Sequence, residues 1–370
     1  MNQLTTLREI ARAAGVSVST VSRVVNGYEH VSEDVRRRVE RAIKELNYQP
    51  NLLARALVSG KDTRQIGLIV YDVANPYFAE IATALENVAY QHGYSVILCN
   101  SSEGRNTGTY LQAMIRHRVD GVAITSGQLD ATALAYLERL LQRDIPIVMS
   151  RERLWVSNLS MEHLDNKIGL IELDCYSGAK LATEYLVSLG HERIAFLFSL
   201  EPEDLETDPR VVGFREVLSK HGLEFNEDLV VTGLGFKQSS GARGMLELLS
   251  RKCEFTAVMT YNDLLAIGAL AVCREEGIRV PEDLSVVGFD NIEASRYTYP
   301  PLTTVDVAKS KLGELMATYL ISRIKENKEK QQPLYRRFPV ELVVRESTGV
   351  KSWSDSLSRG FGLSTTQASC

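Results

Sequence analysis

The spacing of apolar residues changes near residue 66 and divides the chain into two regions. Before that point the spacing is helical, and Val35, Val39, Ile43 and Leu46 fall on one stripe of a single helix. Beyond it, short runs rich in Val and Ile alternate with amphipathic segments, an order typical of parallel sheets with helical crossovers. The pattern predicts an all-α head followed by an α/β body.

Three helices are predicted in the head, residues 1–50, because a capping residue precedes each helical segment and a helix-ending residue follows it. The predicted starts are Thr6, which forms a capping box with Glu9, then Ser17 and Ser32, and the predicted ends are Gly15, Asn26 with Gly27, and Pro50. The first two helices and their tight turn, residues 7–26, form a candidate helix-turn-helix. A generic helical hairpin is the alternative.

The second helix, Val18 to Val25, would bury Val21 and Val24 and leave a polar face outside. An α-helix fits the major groove of DNA, and its N-terminal residues reach the base edges. Arg23 could bind a guanine through two hydrogen bonds, while hydroxyl and methyl groups contact other bases. The candidate DNA contacts of the head are Thr6, Ser17, Val18, Ser19, Thr20, Ser22, Arg23 and Asn26.

The distribution of charge favours a polyanionic partner for the head alone. Residues 1–65 contain 11 Lys and Arg against 7 Asp and Glu, a net charge of +4, while the rest of the chain carries −9. A basic head on an acidic body indicates that only the head meets nucleic acid. For the run Arg36, Arg37 and Arg38 two roles stay open, a solvated helix face and phosphate contact.

Residues 51–65 are predicted to form a short helix, bounded by Asn51 and Gly60, and a polar linker. A helix of fewer than about 12 residues is marginal on its own. Leu57 stands out in this segment, and its role stays open: it packs on the head or on its symmetry mate, or it enters the minor groove as a wedge that bends the DNA.

The body, residues 66–348, reads as parallel sheets with helical crossovers. The predicted strands, expected to be buried on both faces, are 66–71, 95–99, 121–125, 145–149, 194–198, 229–232, 257–260 and 285–289. The predicted helices between them are 78–91, 108–116, 131–141, 178–189, 210–221, 241–249 and 264–276. Eight strands exceed one comfortable sheet, so we expect two α/β lobes.

Three stretches depart from this alternation. Residues 151–167 are expected to form an irregular loop between the lobes. A long helix at 309–328 is expected to precede a last strand at 339–344. Residues 349–370 are rich in Ser, Thr and Gly and are expected to form a disordered tail.

Catalysis, metal binding and cofactor binding find little support in the sequence. The six histidines are scattered, and neither Gly-x-Ser-x-Gly nor Gly-x-x-x-x-Gly-Lys occurs. The five cysteines lie far apart without a Cys-x-x-Cys pair, which favours a reduced, cytoplasmic location. No run reaches the ~18–20 apolar residues of a membrane span. We expect a protein that is not an enzyme and that has no cofactor, metal or membrane partner.

Motifs spread over residues 1–348 resemble those of the lactose/galactose-repressor (LacI/GalR) family. The matching stretches are 16–26 (VSVSTVSRVVN), 42–51 (AIKELNYQPN), 54–57 (ARAL), 66–69 (IGLI), 75–78 (NPYF), 119–122 (VDGV), 189–194 (LGHERI), 262–263 (ND) and 287–291 (VGFDN). The resemblance implies a helix-turn-helix head, a hinge helix that folds on operator binding, and a two-lobed body like a periplasmic sugar-binding protein. It also implies base reading by Val18, Ser19 and Arg23.

The resemblance further implies a small-molecule effector, a sugar or related metabolite, bound between the lobes. The effector contacts carried over by position are Tyr77, Phe78, Arg151, Arg210, Phe236, Asn262, Asp263 and Asp290, and the hinge contacts with DNA are Ala54, Arg55 and Leu57. Asn262 and Asp290 each follow a predicted strand at its carboxyl end, where open α/β sheets bind ligands. For Asp263 a second role stays open, capping of the next helix.

Three stretches depart from the family pattern near the expected cleft, and one of them is the loop 151–174, which is longer than usual. Ser150 precedes Arg151 where the family commonly has Asp, and Ser199 with Leu200 replaces an expected Gly. An acidic run follows, formed by Glu201, Glu203, Asp204 and Glu206. These changes affect the identity of the effector rather than the fold.

The sequence thus predicts a homodimeric, sequence-specific transcription regulator, a repressor of double-stranded, pseudo-palindromic operators. Control by a protein partner is one alternative, and a helix-turn-helix fused to a sugar-processing enzyme is another.

Overall fold

The structure, a computed structural model, describes residues 5–25, 28, 30–48, 63–102, 106–125, 127–150, 154–156, 167–325 and 334–351. The chain divides between Thr63 and Arg64 into a small N-terminal unit, the head, and a large C-terminal unit, the body. In the described residues, no helix is both long and apolar enough to cross a membrane.

The head contains helices α1 (Leu7–Ala14), α2 (Val18–Val25) and α3 (Glu33–Glu45). They enclose a small core in which Ile10, Val21 and Val39 are fully buried. This burial follows the apolar stripes of the sequence, so the three predicted helices are confirmed.

The predicted starts and ends of these helices are confirmed only in part. Thr6 and Glu9 form both bonds of the capping box, and Gly15 ends α1 with a left-handed φ of 62°. Ser32 precedes α3 as predicted, but its side chain makes no capping hydrogen bond. Leu46 lies beyond the end of α3 and is exposed, so the predicted apolar stripe is one residue too long. The other predicted ends, Asn26, Gly27 and Pro50, lie outside the described residues.

The first sheet of the body is entirely parallel in its described strands. Its order is β13-β7-β5-β3-β1-β2. The bounds are β1 Gln65–Val70, β2 Ser95–Asn100, β3 Gly121–Ile124, β5 Ile147–Ser150, β7 Gly169–Leu173 and β13 Tyr335–Phe338. Helices α4 (Pro76–Gln91), α5 (Thr107–His117) and α6 (Ala131–Leu141) connect its strands. A separate parallel pair joins β4 (Gly127–Leu129) to β6 (Leu154–Val156). We call this half lobe 1.

The second sheet has the order β14-β12-β11-β10-β8-β9 and forms lobe 2. It is parallel except for β14, which runs antiparallel to β12. The bounds are β8 Ile194–Leu197, β9 Val230–Val231, β10 Ala257–Thr260, β11 Ser285–Asp290, β12 Thr303–Asp306 and β14 Glu341–Val343. Helices α7 (Cys175–Ser188), α8 (Pro209–Lys220), α9 (Gln238–Ser250) and α10 (Asp263–Glu275) belong to this lobe.

The chain passes between the lobes after β7, after β12 and between β13 and β14. Helix α11 (Lys309–Lys325) follows β12 of lobe 2 but packs against α4 of lobe 1. Apart from β14 both sheets are parallel, so the carboxyl ends of their parallel strands form the edges at which ligands bind in such folds. The predicted two-lobed α/β body is confirmed.

Among the strands that the structure describes, five were not predicted from the sequence: β4, β6, β7, β12 and β13. Two of them, β6 and β7, fall within or next to the stretch expected to be irregular. Strand β2 lies at a sheet edge and exposes Ser95 and Leu98, so the expectation that it is buried on both faces is wrong. The predicted polar linker ends one residue too late, because Gln65 is the first residue of β1.

The first residues of the predicted C-terminal tail make defined contacts. The carbonyl of Gly349 lies 3.0 Å from His191 Nε2, and the amide of Lys351 donates to the carbonyl of Leu189 at 2.9 Å. Residues 349–351 are therefore packed against lobe 2 rather than part of a disordered tail. Residues 352–370 lie outside the described part of the chain.

Candidate functional site

Helix α2 presents the polar face predicted for DNA contact. Val21 and Val24 are buried in the head, whereas Val18, Ser19 and Arg23 are exposed. Thr20 and Ser22 are half-buried beside them. The three predicted base readers therefore share the solvent side of one short helix.

Two of the predicted DNA contacts have structural roles as well. The Ser17 hydroxyl accepts a hydrogen bond from the Thr20 amide at 3.1 Å and lies 2.7 Å from the Ser19 hydroxyl. The Thr6 hydroxyl donates to the Glu9 carboxylate at 3.0 Å. Hydrogen bonds from Thr6, first from its backbone amide, lower the pKa of Glu9. Both residues therefore fix the starts of the two helices.

The arginine run on α3 is already paired within the head. Arg36 donates to the carbonyl of Tyr28 at 2.9 Å, and Arg38 lies 3.4 Å from Asp34 one turn earlier. Arg37 is exposed and lies 3.8 Å from Glu33. The remaining predicted contacts, Asn26, Ala54, Arg55, Leu57 and Arg151, lie outside the described residues.

A row of aromatic rings runs from lobe 1 to lobe 2 at the carboxyl ends of the strands. Tyr71 follows β1 in lobe 1, and its ring centroid lies 6.3 Å from Phe78 and 5.2 Å from Phe236 of lobe 2. Phe236 in turn lies 5.8 Å from Tyr261. The structure thus brings the predicted residues Phe78 and Phe236 to one place, with Tyr71 and Tyr261 between and beside them.

Arg210 is fully buried in lobe 2 and contacts two aromatic rings. Its guanidinium carbon lies 4.4 Å from the ring centroid of Tyr261 and 4.4 Å from that of Phe289. The Tyr261 hydroxyl accepts from Arg210 at 3.5 Å and donates to the Asp208 carboxylate at 3.2 Å. The two ring contacts are cation–π interactions, while the N–H groups at the edge of the guanidinium donate hydrogen bonds.

Tyr77 and Phe78 lie in the first turn of α4 and are both almost fully buried. Their rings meet edge to face with centroids 4.8 Å apart. The helix begins at Asn75, whose side chain accepts from the Tyr77 amide at 3.0 Å. The Asn-Pro-Tyr-Phe motif therefore combines a helix start with an aromatic pair placed next to the row of rings.

Asn262 caps α10 and also holds the loop that carries Phe236. Its Oδ1 accepts from the Leu265 amide at 2.9 Å, and its Nδ2 donates to the Phe236 carbonyl at 3.4 Å. The cap of α10 is therefore Asn262, and the interpretation of Asp263 as the cap is wrong. Both residues are fully buried.

Asp263 instead joins three segments of lobe 2. Its carboxyl accepts from the Thr304 hydroxyl at 2.5 Å and from the Ile292 amide at 2.8 Å. Burial, together with the neighbouring Asp290 charge, raises the pKa of Asp263 to about 8. This carboxyl organises the backbone around Asp290, and both of its oxygens are engaged by protein groups.

Asp290 ends β11 with a backbone φ of 109°, and Asn291 follows with 51°. Both angles lie in the region that residues with a side chain rarely adopt. The Asn291 side chain donates to Asp306 at 3.2 Å and accepts from Arg345 at 2.5 Å, which fixes this turn. Asp290 is 1% exposed, at the carboxyl end of a central strand.

Two buried hydroxyls lie at the carboxyl ends of strands, one in each lobe. Ser150 is the last residue of β5 in lobe 1, and Ser199 follows β8 in lobe 2. They are 0% and 4% exposed, and neither hydroxyl has a hydrogen-bond partner among the described residues. The same part of the chain contains no cluster of three or more potential metal ligands.

Sequence reasoning missed Tyr71, Asp208 and Tyr261. Tyr261 and Tyr71 adjoin apolar strands and look like core residues in the sequence. Asp208 caps α8 by accepting from the Arg210 amide at 2.8 Å, and its second role beside Tyr261 depends on a contact 53 residues away. Only their place in the sequence could have pointed to them, because each of the three lies close to the end of a strand or the start of a helix that borders the expected cleft.

Known protein families match both units of the chain. The model of bacterial regulatory proteins, lacI family, matches residues 6–51, and that of the periplasmic binding protein-like domain matches residues 183–348. The HTH-type transcriptional repressor PurR of Pasteurella multocida (strain Pm70) is 36% identical over 345 residues, which cover 93% of this chain and 98% of that protein. PurR of Histophilus somni (strain 129Pt) is 35% identical over 93% of this chain and 99% of its own length.

Solved structures of the same kind match more than nine tenths of the chain. The lac repressor dimer bound to operator and the anti-inducer ONPF is 29% identical, covers 94% of this chain and 100% of its own, and gives a TM-score of 0.78. The complex of the transcriptional regulator CelR with cellobiose is 32% identical over 93% of this chain and 99% of its own, with a TM-score of 0.65. The chain therefore belongs to the LacI family of bacterial regulatory proteins and is a DNA-binding transcription regulator.

Proposed function

We propose that this regulator is a homodimeric repressor whose affinity for its operator is controlled by a neutral sugar or a related polyhydroxylated metabolite bound between the two lobes. The observation that carries the proposal is the meeting of Tyr71 of lobe 1 and Phe236 of lobe 2 beside the buried Arg210. Groups of both lobes converge there, so a ligand bound at this place would contact both and change how they meet.

The chemistry of the cleft suits a polyol. Phe78 and Phe236 offer ring faces to an apolar sugar face, while the edge of Arg210 donates and the carboxylate of Asp290 accepts hydrogen bonds. The buried hydroxyls of Ser150 and Ser199 can each donate and accept, and burying them without a partner is unfavourable. A bound molecule with several hydroxyls would satisfy these groups.

The charge around the cleft favours a neutral effector over a phosphorylated one. The Asp208 carboxylate lies beside Tyr261 and the Arg210 backbone, and Glu201 and Glu203 are exposed along the same loop. These carboxylates would repel a phosphate group at the mouth of the cleft. The complexes of CelR with cellobiose and of a LacI family regulator from Enterococcus faecium with ribose are consistent with an uncharged sugar.

The proposed DNA contacts follow from the exposed face of α2. Val18, Ser19 and Arg23 would read base edges in the major groove, and Leu57 would enter the minor groove. A homodimer with two-fold symmetry would read a pseudo-palindromic operator. Effector and operator would change each other's affinity by the same factor, since linkage is reciprocal. The proposal includes no catalytic step, and a repressor of this kind would act in the cytoplasm.

A thermal-shift screen of the full chain tests the effector. The panel contains ribose, cellobiose and other neutral sugars, their phosphates, and nucleosides, and a compound that binds the folded state raises the melting temperature by mass action. We expect a shift with a neutral sugar and a smaller or absent shift with its phosphate. The variant Asp290→Asn should lose most of the shift. A panel in which no neutral sugar stabilises the chain contradicts the proposed effector class.

A DNA-binding assay with an operator selected from random sequence tests the regulatory part. The stabilising sugar should change operator affinity several-fold, in either direction. An affinity that the sugar leaves unchanged contradicts control by this effector.

A further inference from the structure

Lys309 is a buried lysine at one of the passages between the lobes. It is the first residue of α11, which packs against α4 of lobe 1, and it follows β12 of lobe 2 by only three residues. The residue is 3% exposed. Lysine is rarely buried to this degree unless its ammonium group is paired, so its partners indicate its role.

On the side of lobe 2, the ammonium of Lys309 binds two successive backbone carbonyls. Nζ donates to the Asp290 carbonyl at 2.6 Å and to the Asn291 carbonyl at 3.0 Å. These are the two residues with backbone φ of 109° and 51°. Residues with side chains keep such angles only where surrounding contacts hold them, and the two bonds from Lys309 are contacts of this kind.

On the side of lobe 1, the same ammonium faces a carboxylate of α4. Lys309 Nζ lies 3.6 Å from Glu80 Oε2, and the Ser310 hydroxyl donates to Glu80 Oε1 at 2.7 Å. Asp306 lies 3.9 Å away as a second, weaker partner. Glu80 follows Phe78 by two residues in α4, so Lys309 joins the helix that carries Phe78 to the turn that carries Asp290.

We propose that Lys309 is a positioning residue for the effector site: it holds the Asp290 turn in its strained conformation and, through Glu80, ties that turn to α4 across the two lobes. The inference rests on the proposed function, in which Asp290 and Phe78 contact the effector. It adds a residue that touches no effector but sets the distance and direction between the two halves of the site.

The role of Lys309 has a consequence that can be measured without any effector. The Asn291 amide donates to the Thr304 hydroxyl at 3.3 Å and the Ile292 amide to the Asp263 carboxyl at 2.8 Å. If the turn loosens, these amides exchange their hydrogens with solvent faster. Hydrogen–deuterium exchange of peptides covering residues 288–293 in the full chain therefore reports how well the turn is held.

Four variants separate positioning from general stability. Lys309→Met removes the ammonium and should raise exchange at 288–293 about tenfold, whereas Lys309→Arg keeps a charged donor and should stay within about threefold of the wild type. Glu80→Gln removes the ionic partner at a half-exposed position that tolerates the change. It should raise exchange in the same peptides about threefold, although Glu80 does not touch them. Lys311→Met, at an exposed position of the same helix, is the control and should change nothing.

The outcome of Glu80→Gln decides the proposal even if Lys309→Met does not fold. Exchange at 288–293 that stays within twofold of the wild type in Glu80→Gln overturns it, and so does a Lys309→Arg variant that exchanges as fast as Lys309→Met. Ribose and cellobiose supply a second arm: a sugar that raises the melting temperature of the wild type should lose its effect on Lys309→Met and keep it on Lys311→Met. If neither ribose, cellobiose nor any other neutral sugar stabilises the wild type, the proposed effector class is wrong. The exchange data still decide the role of Lys309 in that case.

Discussion

Tyr71 of lobe 1 and Phe236 of lobe 2 meet edge to face, with ring centroids 5.2 Å apart. Tyr71 follows β1 of lobe 1, and Phe236 lies in the loop that follows β9, an edge strand of the sheet of lobe 2. The two lobes therefore touch through aromatic rings at the place where the effector is proposed to bind. A ligand that enters must pack against these rings or separate them.

Replacing Phe236 by alanine should weaken both the contact between the lobes and the binding of the effector. An aromatic pair contributes about 0.5–1.5 kcal/mol beyond the apolar area that it buries, so the loss of one such contact should weaken effector binding about 2- to 13-fold. Calorimetric titration with the stabilising sugar measures the loss, and small-angle X-ray scattering of the full chain should show a larger radius of gyration.

Phe225→Ala is the matched control for this change. Phe225 packs against Phe214 and under Arg215 in lobe 2, away from Tyr71. The Phe225→Ala substitution should lower the melting temperature but leave the radius of gyration and the sugar affinity of the folded chain unchanged. Equal effects of both variants would show that Phe236 contributes only to stability.

The buried carboxyl of Asp263 should make the stability of the body fall as the pH rises. Burial and the Asp290 charge raise the pKa of Asp263 to about 8, far above its value in the unfolded chain. The folded state then keeps a proton that the unfolded state releases, so the contribution is complete below about pH 4 and is lost as the pH rises to 8. The slope is at most about 1.4 kcal/mol per pH unit.

Asp263→Asn should remove this dependence, because an amide can accept from Ile292 and donate to Thr304 without titrating. Urea unfolding of the full chain between pH 5 and 9 measures it, and the difference between wild type and variant isolates the contribution of Asp263. Asp228→Asn, at an exposed position, should follow the wild type at every pH. A constant difference between wild type and Asp263→Asn across this range would show that Asp263 does not titrate there.

Asn262 and Asp263 show where prediction of the site stops. Both residue types cap helices, but the interpretation of the sequence assigned this role only to Asp263, as its second possible role. The structure assigns the cap to Asn262 because α10 begins at Asp263, and it turns Asp263 towards Thr304 and Ile292. Those partners lie 41 and 29 residues away, so only the packing of the sheet could reveal them.

The dependence on contacts between distant residues also explains which strands could be predicted from the sequence. Residues 257–260 form an apolar run between polar segments and were predicted with their observed bounds. Strand β12 has two buried threonines in four residues, and β13 reads Tyr-Arg-Arg-Phe, so neither resembles a buried run. Their membership in the sheets depends on pairing with β11 and β7, which is set by contacts far apart in the sequence.

Gly288 of β11 should not tolerate a side chain. A β-carbon there would collide with Asp263 Oδ1 and would lie 2.8 Å from Leu302. Gly288→Ala should therefore destabilise the chain by about 1–3 kcal/mol, the usual effect of overpacking a core. Denaturant unfolding measures the effect.

Gly121→Ala is the control, since a β-carbon in this buried strand meets its nearest neighbour, Leu320, at an ordinary 3.4 Å. Combining Gly288→Ala with Asp263→Ala should relieve part of the destabilisation. Purely additive effects of the two substitutions would contradict a clash between these residues.

Arg23 should carry specificity in the proposed operator complex, whereas Arg37 should not. A bidentate contact with guanine is worth about 1–3 kcal/mol, so Arg23→Ala should weaken operator binding about 5- to 150-fold and change binding to unrelated DNA little. If Arg37 contacts phosphate, Arg37→Ala should weaken binding to all DNA equally and lower its salt dependence. Fluorescence anisotropy at several salt concentrations measures both. An equal loss on operator and unrelated DNA for Arg23→Ala would remove it from the base readers.

The proposed homodimer should depend on the outer face of α10. A surface groove of about 550 Å³ lies there, lined by Ile267, Leu270 and the neighbouring Tyr297 and Tyr299, which are 79% and 91% exposed. Large exposed aromatic side chains around an apolar groove are typical of protein interfaces.

Tyr299→Asp would bury an unpaired carboxylate in such an interface while leaving the fold of the single chain intact, so light scattering should report a monomer at micromolar concentration. Tyr90→Asp places the same charge at a 76% exposed tyrosine of α4 and should keep the dimer. A Tyr299→Asp chain that remains dimeric would place the interface elsewhere on the body.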